Sequence, residues 1–205
     1  FHNGHMYFVN EIKEKYQPDL IIAVTSTSFT MRGEISVINK FEKTDALLNA
    51  GIDIVLEFPF ILSTQSSDYF ASNAISILNT IGVNHIICGC ESDDINNLHN
   101  FYELENSDTF KEIFKDNLKK YTSYKKTFES TMKYLTIDNE LISLFNKPNF
   151  TLAYQYYKSI RKINPTMKMS LIKRTNSYDD ENLSSNIVSA KAIRLARVNN
   201  LNYTK

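Results

Sequence analysis

The sequence has 205 residues, 42% of them hydrophobic and 22% charged, with 23 Lys plus Arg against 23 Asp plus Glu and a net charge of +0. That length and balance suit one α/β domain with a sizeable core and exclude a strongly basic nucleic-acid-binding module. The 2 cysteines, Cys88 and Cys90, cannot build a disulfide scaffold, and no apolar run is long enough to span a membrane, so the chain reads as cytoplasmic.

In chain order, Phe1-His2-Asn3-Gly4-His5 comes first, and Met6 to Lys15 follows with Tyr7, Phe8, Glu11 and Ile12 at helical spacing. Pro18-Asp19 breaks that helix, and Leu20 to Val24 is a continuous apolar run suited to a buried parallel strand. After a polar loop from Thr25 to Ser36, a helix is expected over Lys40–Asn49, stopped at Ala50-Gly51, and a second strand over Ile52–Leu56. Phe70, Ala74, Ile77, Leu78 and Ile81 place a helix over Ser66–Thr80 with Gly82 as its stop, and His85 to Cys88 is the third strand. Strands alternating with amphipathic helices predict a doubly wound parallel sheet with right-handed crossovers. Ligands in such folds bind beyond the carboxyl ends of the strands, which puts His2, His5, the 25–34 loop and Gly89 on one edge.

From Asp93 to Asn146 the texture becomes rich in Asn, Lys, Tyr and Phe, with helices expected over Thr109–Lys120, Tyr124–Leu135 and Asp138–Phe145. The expected organisation is a core over 1–92, a helical insertion over 93–146, and the rest of the core over 147–205. The last part holds a helix from Thr151 to Ile163, a strand from Met167 to Lys173 and a helix from Ser189 to Val198.

Two imidazoles at the first turn of a helix add hydrogen-bond donors where backbone N–H groups and the helix dipole already favour an anion, and Gly4 lets a phosphate or an adenine ring approach the backbone. Neither histidine lies on an apolar face, so replacing either is expected to leave folding almost untouched. Gly89, after a strand, permits close passage of a base or ribose. Asn149, beside Pro148, is expected to cap a helix, and the guanidinium of Arg174 at a strand end suits a phosphate. Arg32, Lys40 and Lys43 lie in or just after the first long loop, while Glu34 and Glu57 read as a salt-bridge partner and a strand-end carboxylate. No protein metal site is expected, because the spacing of His85, Cys88, Cys90 and His99 fits no common zinc signature.

The H-x-G-H pattern is the signature of adenylate-forming nucleotidyltransferases and class I aminoacyl-tRNA synthetases. Its company here is Thr25 to Glu34, Asn39 to Thr44, Asp53 to Pro59, Ile87-Cys88-Gly89-Cys90-Glu91, Lys147-Pro148-Asn149, Tyr154-Gln155-Tyr156, Ile172-Lys173-Arg174 and Ile187 to Arg194. In this order and spacing the chain closely resembles the bacterial tRNA(Met) cytidine acetate ligase family, from Phe1 to about Ala196. The resemblance implies a Rossmann-like (HUP) nucleotidyltransferase fold and an ATP-dependent ligase that acetylates N4 of the wobble cytidine of elongator tRNA(Met) through acetyl-adenylate. It further implies His2 and His5 as catalytic residues, and ATP contacts from Phe1, His2, Asn3, Gly4, His5, Gly89, Asn149, Arg174, Ser189 and Arg194. Arg32 and Lys40 are then candidates for acetate or the tRNA end, with Mg2+ carried by ATP and no obligate protein partner.

The chain departs from the family at two places. Lys191 and Ala192 replace hydroxyl residues that usually follow the first serine of the phosphate segment, and Met31 stands where a Gln commonly precedes Arg-Gly. The family also has a strand before the histidine segment and a helical region beyond 194, so a fragment is expected. Two competing readings are an adenylyltransferase acting on a small-molecule acceptor, and a nucleotide-binding fragment without catalysis.

Overall fold

The computed structural model describes residues 2–31, 33–135, 139–175, 192, 193 and 196. Phe1, Arg32, Ser189, Lys191 and Arg194 therefore lie outside the described residues, as does most of the expected terminal helix. The first helix, α1, is Asn3–Tyr16, with Val9 and Ile12 as its buried stripe. It ends on Gln17, whose φ of 44° is left-handed, and Pro18 prevents continuation.

β1 is Ile22–Ser26 and β2 is Ile54–Phe58, each shifted by two residues from the apolar runs that announced them. The shift has a visible reason: Leu20 is 60% exposed. Between these strands α2, Lys40–Asn49, opens on a reciprocal cap. Asn39 Oδ1 accepts from the N–H groups of Phe41 and Glu42, and the Glu42 carboxylate accepts from Asn39 N–H. Gly51, at a φ of 90°, turns the chain out of α2 as expected.

β2 leads into a short turn of helix, α3 (Phe60–Ser63), which the sequence reading missed, and then α4 (Ser67–Thr80). β3 runs His85–Cys90 and so includes Gly89, which is paired with Ile172 inside the ladder and does not follow it as expected. The insertion holds α5 (Asn96–Asn106, not anticipated), α6 (Asp108–Leu118), α7 (Tyr124–Leu135) and α8 (Asn139–Phe145). α9, Pro148–Ile163, returns to β4, Lys168–Lys173.

β1 pairs with β2 and β3 with β4, both in parallel, with Ile22 opposite Ile54 and His85 opposite Lys168. Among the described residues β1 and β3 do not pair with each other. A crevice of about 750 Å³ separates them, lined by Ile22 and Val24 from one side, Ile87 from the other, and Phe8, Ile12 and Ala74 from the helices. The direction of the strands follows from α1. Its Tyr16 ring meets His85, the first residue of β3, at 5.1 Å, while its Phe8 lies against Gly89 near the end of β3. α1 thus runs against the strands, and its N-terminus lies at their carboxyl edge.

Two clusters hold the molecule together. One joins Phe101, Phe110, Phe128 and Phe145 of the insertion to Phe150 and Tyr154 of α9 and Leu171 of β4. The other packs Ile75 of α4, Ile86 of β3 and Ile160 of α9 with Met167. α9 contributes to both, so the insertion is built on the same helix that covers the sheet.

Candidate nucleotide site

His2 is the N-cap of α1: its backbone is extended, and its Nδ1 accepts the N–H of Gly4 at 3.1 Å. An imidazole nitrogen that accepts carries no proton, so the proton of neutral His2 is on Nε2. The His5 ring lies 4.1 Å from that of His2, tilted by 50°. Its pKa is pushed down to about 3, by the protein mass around it first, with His2 and Arg174 adding positive potential. The residue as a whole is nonetheless exposed. His5 is neutral at pH 7, an uncharged imidazole held close to a guanidinium.

Arg174 follows β4 directly, and its N–H bonds to the carbonyl of Cys90 at 2.9 Å, one rung beyond the β3–β4 ladder. Its Nε is buried and has no hydrogen-bond partner among the described residues. A buried N–H of a guanidinium left unmatched is costly, and an anion is the natural partner to remove that cost. Gly89 adjoins the same side chain. A methyl group built on it would lie 3.8 Å from Arg174 Cγ and 3.8 Å from Phe8 Cε2, ordinary contacts both. Neither backbone nor packing therefore demands glycine at this position.

Asn149 was expected to cap α9, but the N-cap is Lys147, with Pro148 and Asn149 already inside the first turn. Pro148 needs no partner for a missing N–H, which moves the N-cap back by two residues. The cap comes from another element. Glu91, the residue after β3, accepts Asn149 N–H at 3.2 Å and Asn149 Nδ2 at 2.8 Å on one oxygen, and Phe150 N–H at 2.6 Å on the other. Sequence reading gave Glu91 no role. The signal for it was a carboxylate at a strand end and a helix start whose own N-cap is a lysine.

The first loop is tied down separately. Lys43 donates to the carbonyls of Ser26 at 2.7 Å and Thr27 at 3.2 Å, and burial holds its pKa below the usual value. Lys40 pairs with Glu57 at 3.0 Å on the surface, and this bond holds the Glu57 carboxyl below its ordinary range. Glu34 meets the loop through its backbone, accepting Thr30 N–H at 2.9 Å across the turn at Gly33.

The cysteines and remaining histidines are scattered. Burial pushes both thiols up, Cys90 to about 11, while His85 bonds Ser170 and His99 bonds Tyr157. Among the described residues no three His, Cys, Asp or Glu side chains are grouped to hold a metal ion. Of the expected nucleotide residues, the structure gathers His2, Gly4 and His5 with Gly89 and Arg174 around the start of α1 and the ends of β3 and β4. Asn149 joins them through Glu91. Ala192, from the altered phosphate segment, is buried.

A Rossmann-like arrangement with a histidine-led helix at the carboxyl edge of its strands defines a nucleotidyltransferase, and sequence comparison agrees. Residues 1–204 match the family model described as HIGH Nucleotidyl Transferase, and the chain belongs to that family. It is 35% identical to the tRNA(Met) cytidine acetate ligase of Oceanobacillus iheyensis over 95% of this chain and 49% of that protein. Against the same enzyme of Caldicellulosiruptor saccharolyticus the identity is 39% over 98% of this chain and 50% of the relative. The crystal structure of apo Thermotoga maritima TmcAL superposes with a TM-score of 0.89 at 32% identity, covering 98% of this chain and 49% of that one. The form of TmcAL bound with α-thio ATP gives 0.85 at 32% identity, covering 98% and 48%. The chain spans about half the length of the curated relatives it matches.

Proposed function

We propose that this chain is the nucleotide-activating part of an ATP-dependent tRNA(Met) cytidine acetate ligase. The observation that carries the reading is the convergence of neutral His5, Nε-protonated His2 and the unpartnered Nε of Arg174 beside Gly89. That set offers uncharged and charged donors to one anionic group and brings no nucleophile of its own. A TmcAL structure bound with α-thio ATP and relatives named tRNA(Met) cytidine acetate ligase support the identity of the nucleotide and the acceptor.

In the first step an acetate oxygen attacks the α-phosphorus of ATP, the bond to the β-phosphate breaks, and pyrophosphate leaves with acetyl-adenylate remaining. His2, His5 and Arg174 hold phosphate oxygens and stabilise the charge that builds there, which is positioning and electrostatics without covalent help from the protein. In the second step the N4 amine of the wobble cytidine attacks the acyl carbon, AMP departs, and the amine loses a proton. Phe1, Asn3, Gly4, Asn149, Ser189 and Arg194 complete the ATP contacts in this reading, and Arg32 and Lys40 face acetate or the tRNA end.

Mg2+ takes oxygen ligands and keeps several waters. The carboxylate of Glu91 is committed to the backbone of α9, so the protein residues gathered here do not make a magnesium site. The ion travels with the triphosphate. The setting is the cytoplasm, where ATP and tRNA are found. Acetate-dependent exchange of labelled pyrophosphate into ATP, measured on the natural-length protein, tests the reading. Exchange that requires acetate supports it, and exchange indifferent to acetate would remove the ligase.

A further inference from the structure

We infer that Glu91 is a positioning residue that fixes which face of the Asn149 amide meets the nucleoside, and through it selects a nucleoside hydrogen-bond donor. The inference rests on the ATP reading above and adds to it a residue and a selection rule.

An ionised carboxylate only accepts hydrogen bonds, whereas a primary amide donates from nitrogen and accepts at oxygen. Glu91 takes Asn149 Nδ2 at 2.8 Å, and the same oxygen takes Asn149 N–H at 3.2 Å. Its other oxygen takes Phe150 N–H at 2.6 Å, so the carboxylate is clamped by two consecutive backbone groups of α9. The positive end of that helix favours the negative charge in this place. With the carboxylate fixed, the amide has one allowed orientation: nitrogen toward Glu91, Oδ1 away from it. No described residue donates to Asn149 Oδ1, and the side chain is only half-buried. A carbonyl oxygen is therefore presented beside Glu91, at the end of β3.

An acceptor in that position pairs with a donor on the nucleoside. The two donors of adenosine assigned to this acceptor are the exocyclic amine of the base and the ribose 2′-hydroxyl. A base carrying a carbonyl in place of the amine would set oxygen against oxygen. In the absence of Glu91 the amide is free to turn over and accept either kind of base edge.

The test measures dissociation constants by calorimetry on the natural-length protein for ATP, inosine triphosphate and 2′-deoxy-ATP. Wild type is expected to prefer ATP over one of the two analogues by about tenfold, the worth of one matched hydrogen bond plus the penalty of a mismatch. Glu91→Gln keeps an oxygen for the Phe150 N–H but lets both amides turn, and is expected to reduce that preference to less than about threefold. A purely structural role would weaken all three ligands alike. The second variant swaps the pair, Glu91→Gln with Asn149→Asp. There the amide nitrogen introduced at position 91 donates to one oxygen of the carboxylate introduced at position 149. The other carboxylate oxygen faces the ligand, so the preference is expected to return. Thermal melting followed by circular dichroism accompanies each variant, and the swapped pair carries the test if the single variant is unstable. An unchanged preference in Glu91→Gln, or a preference still lost in a well-folded swapped pair, would overturn the inference. Wild type that binds ATP without distinguishing either analogue would overturn it and leave the ATP reading standing. Wild type that does not bind ATP would remove both.

Discussion

His2 accepts the backbone N–H of Gly4 through Nδ1 at 3.1 Å, so one imidazole both caps α1 and presents its proton from Nε2. The sequence reading expected replacement of His2 to leave folding almost untouched, and the cap corrects that. His2→Ala is predicted to cost about 1 kcal/mol of stability through the lost cap and to slow acetate-dependent pyrophosphate exchange by roughly a hundredfold. His2→Asn separates the two roles: Asn is a good N-cap, so melting should recover while exchange stays low. Recovery of exchange in His2→Asn would show that only the cap matters.

His5 gives the pH dependence its sign. An unfolded-chain histidine titrates near 6.5, while His5 in the folded protein titrates at about 3. Between these values the unfolded chain binds a proton that the folded one refuses, so stability falls as pH drops below about 6.5. Because His5 is an exposed residue, the loss between pH 7 and pH 5 is expected to be on the order of 1 kcal/mol. Urea melts at the two pH values, on wild type and His5→Gln, check this. The glutamine variant should show a smaller loss over this range, and an equal loss in both would take His5 out of the account.

Gly89 is free of structural need, since a methyl group there meets only ordinary contacts at 3.8 Å. Gly89→Ala is therefore predicted to melt within about 1 kcal/mol of wild type, as expected for glycine to alanine at an unstrained site inside a strand. The ATP dissociation constant, by contrast, should rise by about tenfold or more, because the methyl group occupies the approach beside Arg174. Unchanged ATP binding in a folded variant would show that the nucleotide passes elsewhere.

Much of this was legible in the chain. The parallel strands, the stops at Gly51 and Gly82, and the helix behind the histidines all follow from apolar runs and glycine positions that act locally. What escaped was non-local. The cap of α9 comes from Glu91, 58 residues before Asn149, and no pattern within a helix start reveals a partner on another element. α5 hid among asparagines, because its buried face reduces to Leu98 and Phe101.

Lys43 and Lys40 stand one turn apart on α2 and are predicted to behave oppositely. Lys43 ties α2 to the end of β1 through the carbonyls of Ser26 and Thr27. Lys43→Met leaves those acceptors without their donor and should lower stability by about 1–2 kcal/mol. Lys40→Met breaks an exposed pair with Glu57 and an exposed contact with the Phe41 ring, and should leave the melting curve close to where it was. If Lys40 also meets acetate or the tRNA end, its variant alone will lose activity without losing stability. Denaturant melts and exchange rates on both variants separate the two roles.

The chain has a net charge of +0, and several of its lysines are matched close by. Lys119 pairs with Asp116, Lys133 with Glu129, Lys111 with Asp108 and Lys15 with Glu11, each within one turn of its own helix. Lys158 pairs with Glu105 across helices. A lysine already facing a carboxylate releases few counterions when it meets a phosphate, so the electrostatic part of RNA binding is small. With fewer than about three phosphates contacted, the logarithm of the binding constant should fall with the logarithm of salt at a slope shallower than about −3. This chain should therefore bind tRNA weakly and without preference for tRNA(Met). The full-length ligase of Oceanobacillus iheyensis should bind more tightly and with a steeper slope. Mobility shifts of both proteins over a salt series measure the difference. Equal slopes would place the RNA-binding surface on this chain, with the lysines at 119–126 and the basic residues at 161–174 as the first to replace.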